Sequence, residues 1–99
     1  MAHSAVLTWQ APSDALPSST YNVYRALGAC PASGLGTLVF GRVNSAAITG
    51  LTFTDNTVVV GNTYCFYGTQ VQGSFESIPS NTAGGSVVPS TITIQLVLT

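Results

Sequence analysis

Few residues in this 99-residue chain are equipped for chemistry. His3 is the single histidine, and so near a chain end it has little to hold it in a metal site or a Ser-His pair. Asp14, Asp55 and Glu76 are the only acids. Each lies among turn or loop formers, at no spacing that would pair two carboxylates for acid–base work. Asp55, in Asp55-Asn56-Thr57, reads as a turn cap. Gly34-Leu35-Gly36 lacks the strand–loop–helix setting of a phosphate cradle. Cys30 and Cys65 are the only thiols, and they make either one disulfide or two reduced cysteines. No catalytic residue, metal ligand or cofactor is expected, so the chain reads as non-enzymatic.

The composition says what must position these residues. The chain has no Lys, only Arg25 and Arg42 against three acids, and is 45% hydrophobic with a net charge of −1. Such a chain has too much apolar content and too little charge for intrinsic disorder. Two arginines cannot neutralise a run of phosphates, so no nucleic-acid partner is expected. No apolar run is long enough to span a bilayer as a helix, and no membrane partner is expected either. Near-zero charge gives little repulsion between copies. That suits a subunit whose neighbours cover its apolar surface, or a domain cut from a larger secreted protein. Met1-Ala2-His3-Ser4 carries no basic start or apolar segment of a secretory signal.

Strand and turn formers fill the chain, and no long segment has helical periodicity, so the expected class is all-β. Ser4 to Ala11 alternates, with Leu7 and Trp9 on one face, and Trp9 is a core anchor. Pro12 to Thr20 is a loop. Tyr21-Asn22-Val23-Tyr24-Arg25 is a second strand, with Tyr21 and Val23 inward. Leu27 to Thr37 is an irregular connection, Leu38 to Val43 a third strand broken at Gly41, and Ala47 to Thr54 a fourth. Gly61-Asn62 turns the chain into Tyr64-Cys65-Phe66-Tyr67, whose strand runs to Val71. A tyrosine at such a corner can bond its hydroxyl to backbone a few residues upstream while its ring joins the core. Gln72 to Pro79 is a loop, and Ser80 to Val88 a weak, Gly-rich strand.

These pieces, in this order, resemble a fibronectin type III domain of the bacterial and phage kind. The resemblance rests on the strand ending in Trp9, on Tyr21-Asn22-Val23-Tyr24-Arg25 and on Phe53-Thr54-Asp55-Asn56-Thr57. Val60-Gly61-Asn62-Thr63-Tyr64, Glu76-Ser77 and Ser80-Asn81 complete it. It covers Ser4 to Pro89, and the short start further resembles small tailed-phage structural proteins. It implies a two-sheet antiparallel β-sandwich, immunoglobulin-like, over residues 1–89, with Trp9, Tyr21, Val23, Tyr64 and Phe66 in the core and corner and no catalytic site. In that family the second strand and the aromatic strand are antiparallel neighbours, which implies a disulfide between Cys30 and Cys65.

The chain departs from the pattern in two places. Gly68 and Gln70 fall on the inward face of the aromatic strand, where the family has Val and Ala. The family's opening A strand is missing, which leaves an unpaired edge beside Val6 to Trp9. Residues 90–99 form an extra C-terminal strand in which Ile92, Ile94, Leu96 and Leu98 alternate with Thr91, Thr93, Gln95 and Val97. A free strand of this kind is an aggregation hazard. It is expected either to enter a neighbouring subunit's vacant edge as an assembly strand or to fold back as a hairpin beside Ser80 to Val88.

Two functions are expected from these features. The first is a structural subunit of a phage virion, a capsid decoration or tail component whose partners are other virion subunits or copies of itself. The second is a binding or spacer module of a secreted bacterial hydrolase or adhesin, located extracellularly. In either, the loops Pro12 to Thr20 and Gln72 to Pro79 share a pole. Phe75 beside Glu76 is the candidate contact for a host-surface glycan or protein.

Overall fold

The structure, a computed structural model, describes residues 4–12, 15–16, 18–31, 36, 38–86 and 91–98. Eight strands follow in chain order: β1 (Ser4–Thr8), β2 (Thr20–Leu27), β3 (Gly41–Arg42), β4 (Thr52–Asp55), β5 (Thr63–Gln72), β6 (Phe75–Glu76), β7 (Ala83–Ser86) and β8 (Thr91–Gln95). The smaller sheet has the order β4-β1-β8, and the larger runs β3-β2-β5-β6, with β7 also paired to β5. The protein is therefore all-β and two-sheeted. One core lies between the sheets, drawn from Ala5, Leu7, Trp9, Ile94 and Leu96 on one side and Tyr21, Val23, Tyr64 and Phe66 on the other. Burying each large apolar side chain here contributes about 1.5–3 kcal/mol.

The alternation in β1 and β2 is as the sequence implies: Ala5, Leu7 and Trp9 are buried, and so are Tyr21 and Val23. Among the described residues, the indole N–H of Trp9 has no acceptor. The third and fourth strands are shorter than expected. Only Gly41–Arg42 pairs as a strand, because Asn44 interrupts the ladder. Its Oδ1 accepts the N–H of Val23 at 2.9 Å in place of a backbone carbonyl. The chain rejoins β2 at Ile48, which bridges Tyr21, before β4 begins at Thr52.

The last part of the larger sheet is also broken up. A tight turn at Gly73 (φ 61°) forms β6 inside the expected 72–79 loop. Beyond it two serines continue the edge of β5. Ser77 donates its N–H to the Gln70 carbonyl, and its Oγ accepts the Gln70 N–H at 2.9 Å. Ser80 does the same for Gly68. The register of β5 on β2 holds unbroken from Thr20↔Val71 to Leu27↔Tyr64, through Gly68 and Gln70.

The C-terminal strand corrects the sequence reading. β8 pairs with β1 of its own chain, and in parallel, from Ser4↔Thr91 to Thr8↔Gln95. It is neither a hairpin beside β7 nor, in this chain, a strand given to a neighbour, and the sandwich is not wholly antiparallel. The physical reason lies in Gly68. A side chain there would meet Leu96 Cδ1 at 3.0 Å, so the glycine leaves a hollow that Leu96 fills. Leu96 is 1% exposed and Ile94 is buried beside it, while Leu98 packs against the core margin. A hairpin beside β7 would have left that hollow empty and the edge of β1 unpaired. The connection at 87–90 lies outside the described residues.

Candidate functional site: the outer face of the larger sheet

Alternation decides what the larger sheet shows to solvent. On β2, Tyr21 and Val23 point to the core, which turns Asn22 and Tyr24 outward. On β5, Phe66 and Gly68 point inward, which turns Cys65, Tyr67 and Thr69 outward. The register sets Tyr24 opposite Tyr67 and Asn22 opposite Thr69. The two tyrosine rings stack at 4.8 Å with 15° between their planes. Phe40, just ahead of β3, tilts against Tyr67 at 4.9 Å. Arg42 stands opposite Tyr24 on the next strand. Three aromatic rings thus lie side by side on the face turned away from the core.

Glu76 on β6 reaches over this face. Its Oε2 accepts hydrogen bonds from Thr69 Oγ1 at 2.5 Å and from Tyr24 Oη at 2.5 Å, with a longer contact from Asn22 Nδ2 at 3.4 Å. None of these bonds uses Oε1. The Thr69 and Tyr24 hydrogen bonds, aided by the charge of Arg42, hold the carboxyl below the usual carboxylate range against a smaller effect of burial. Burial raises the Tyr24 phenol, and its hydrogen bond to Glu76 adds to the effect. Burial and the Glu76 charge raise Tyr67. At neutral pH the face therefore offers one ionised acceptor and two protonated phenols. Phe75 pairs with Gln72 and so points to the other side of β6, where a shallow depression of about 150 Å³ is lined by Gln70, Gln72, Phe75, Glu76 and Ser77.

The structure places the sequence candidates as follows. Cys30 and Cys65 form a disulfide, with a Cα–Cα separation of 5.0 Å, as the resemblance implied. Trp9, Tyr21, Val23, Tyr64 and Phe66 are buried in one cluster, with Trp9 and Tyr21 rings 5.6 Å apart. Tyr64 Oη accepts the backbone N–H of Val59 at 2.9 Å, closing the corner five residues back. Phe75 does not tuck under its loop: it is 79% exposed, next to Glu76. Thr20 is opposite Val71, so the 12–20 and 72–79 segments share a pole. Ile94 and Leu96 are buried in the core and Leu98 packs against it, and the side chain of Ile92, with His3 and Asp14, lies outside the described residues.

Asp55 is the one expected turn acid that the fold draws inward. Its Oδ1 accepts from the Thr57 N–H at 2.9 Å, which is the turn cap. Its Oδ2 meets Arg25 Nη1 at 2.8 Å. Arg25 also lies over the Tyr64 ring at 5.0 Å, so this pair ties β2 to β4 across the core margin.

Sequence reasoning singled out Phe75 and Glu76 but missed Tyr24, Tyr67, Phe40, Asn22 and Thr69. A signal was present. Once Tyr21 and Val23 point inward, Tyr24 must point outward, and once Phe66 does, so must Tyr67. Two outward tyrosines on neighbouring strands serve no core, which marks them for contact. The long reach of Glu76 across the sheet had no local signal. No family model matches the chain, and no curated protein is similar enough to stand as a relative.

Proposed function

We propose that this chain is a non-enzymatic binding and display domain of the fibronectin type III kind, which offers the outer face of its larger sheet to a partner. One observation carries the reading: Tyr24, Tyr67 and Phe40 are gathered beside Glu76 where a core has no use for them. The strand order, the antiparallel β2–β5 pair and the Tyr64 corner support the fibronectin type III likeness. With the free edge of β1 occupied by β8, contact with neighbours falls to the sheet face and the 72–79 pole rather than to that edge.

The setting is the surface of a phage virion, as a capsid decoration or tail component, in company with other virion subunits. Its alternative, a binding module of a secreted bacterial hydrolase or adhesin, draws support from the disulfide, which persists in oxidising surroundings. Both settings expose the domain outside a cytoplasm. The test is attachment. Fluorescently labelled protein is sedimented with intact bacterial cells, alongside Tyr67→Ala and Glu76→Gln variants shown to be fully folded at the assay temperature. Retention of the parent and loss of both variants is expected. Equal retention of all three overturns the sheet face as the contact surface.

A further inference from the structure

The outer face, if it is the contact surface proposed above, also constrains what it contacts. Charge comes first. Among the described residues the face carries one guanidinium, Arg42, and one carboxylate, Glu76, which cancel. A polyanion meets a single cation here, and a basic peptide meets an acid already engaged by Thr69, Tyr24 and Asn22. The charge match is therefore to an uncharged partner.

Polarity comes next. An apolar protein surface laid over this face would strip water from Glu76, whose Oε1 accepts none of the three bonds that Oε2 does. An ionised oxygen buried without a donor is costly. A ligand rich in hydroxyl donors removes that cost, because each hydroxyl both donates and accepts. The aromatic rings ask for apolar C–H surface in the same ligand. Alternating C–H faces and hydroxyls in one uncharged chain describe an oligosaccharide.

We infer that the face formed by Phe40, Tyr67, Tyr24 and Glu76 binds an uncharged hexose oligomer. The rings take its C–H face, and Glu76 Oε1 accepts a hydroxyl. The carboxylate works as an acceptor held in place by Thr69 and Tyr24, so the ligand meets a group already oriented.

The test uses the whole chain with its disulfide intact. Cellohexaose, maltohexaose, laminarihexaose and mannohexaose are titrated while the Tyr24 and Tyr67 ring resonances are followed by NMR, with a galacturonate hexamer as the charged comparison. At least one uncharged hexasaccharide shifts those resonances and the galacturonate does not. Tyr67→Ala and Glu76→Gln each weaken binding about tenfold or more, while Val97→Ala, at an exposed site beyond β8 of the smaller sheet, leaves it unchanged. Silence from all four uncharged sugars overturns the inference, and so does binding that both variants retain. The proposed contact face fails separately, through the cell attachment assay. Attachment lost in the variants without any sugar response leaves the contact face standing and points to a protein partner.

Discussion

Two carboxylates in this small domain are each held by side-chain donors, and they serve opposite ends. Asp55 is 3% exposed and sits between the sheets, bonded to Arg25 and Thr57. Glu76 is exposed on the outer face, bonded to Thr69 and Tyr24. Both partners of Asp55 also hold other parts of the fold together, since Arg25 packs on Tyr64 and Thr57 closes the turn. Around Glu76 the neighbours are aromatic rings that bury no core. An inward carboxylate with a full set of partners holds the fold, and an outward one with an oxygen to spare is available to something else. The same division runs through β5, where Phe66 and Gly68 serve the interior while Tyr67 and the buried Thr69 serve the outer side.

That division can be broken hardest at the one covalent tie on the outer face. Reducing Cys30–Cys65 releases a 35-residue loop and should cost about 4 kcal/mol on the chain-entropy account. Urea melts with and without reductant measure it. A loss well under about 1 kcal/mol would show that the outer face needs no staple.

On the inner face, Leu96→Ala should cost about 3 kcal/mol, since it empties the hollow above Gly68. Gly68→Val alone should also destabilise, by overfilling the same space. If β8 is a fitted part of the core, the double variant should be more stable than the sum of the two losses implies. Strict additivity in denaturant melts would mean that Leu96 and Gly68 do not share the space.

The Gly68–Leu96 fit also shows where sequence reasoning reached its limit. Gly68 was visible as a departure from the family pattern, and so was the period-two run from Thr91. What joined them was a parallel strand pairing made across 87–90, and parallel register leaves no local mark because it depends on no turn. The Tyr64 corner and the Trp9 core were legible because each needs only alternation and a short chain reversal, whereas the disulfide was legible only through the resemblance. The outer face was half legible. Alternation exposes Tyr24 and Tyr67, but their adjacency to Glu76 requires knowing that Gly73 turns β6 back along β5. Breaks of one residue, such as Asn44 standing in for a carbonyl, defeated the strand lengths in the same way.

Asp55→Ala should cost about 2 kcal/mol. That falls below the 3–5 kcal/mol typical of a fully buried pair, because the Arg25 side chain keeps 25% of its exposure and can turn to water. Glu76→Gln should cost much less in the same melts, and equal losses would erase the distinction between the two acids. Tyr64→Phe tests the smaller polar bond inside the fold. Losing the hydroxyl that accepts the Val59 N–H should cost about 1 kcal/mol while the ring stays packed.

The smallest effect sharpens the contrast most, because it is read from pH alone. Glu76 titrates below its ordinary value of 4.5 in the folded protein. The unfolded chain therefore binds more protons than the folded one between that depressed value and about 4.5, and stability rises with pH across this window. Above it the contribution is fully present, and as pH falls through the folded value it is lost. The group is exposed and screened, so the gain stays under about 1 kcal/mol. Urea melts of the parent and Glu76→Gln from pH 2.5 to 6 isolate it, since every other acid is common to both. The parent's advantage should appear near neutrality and fade toward the acid end. A constant difference across the range would mean that Thr69 and Tyr24 hold the protonated acid as well as the carboxylate, and that the outer face does not favour the anion.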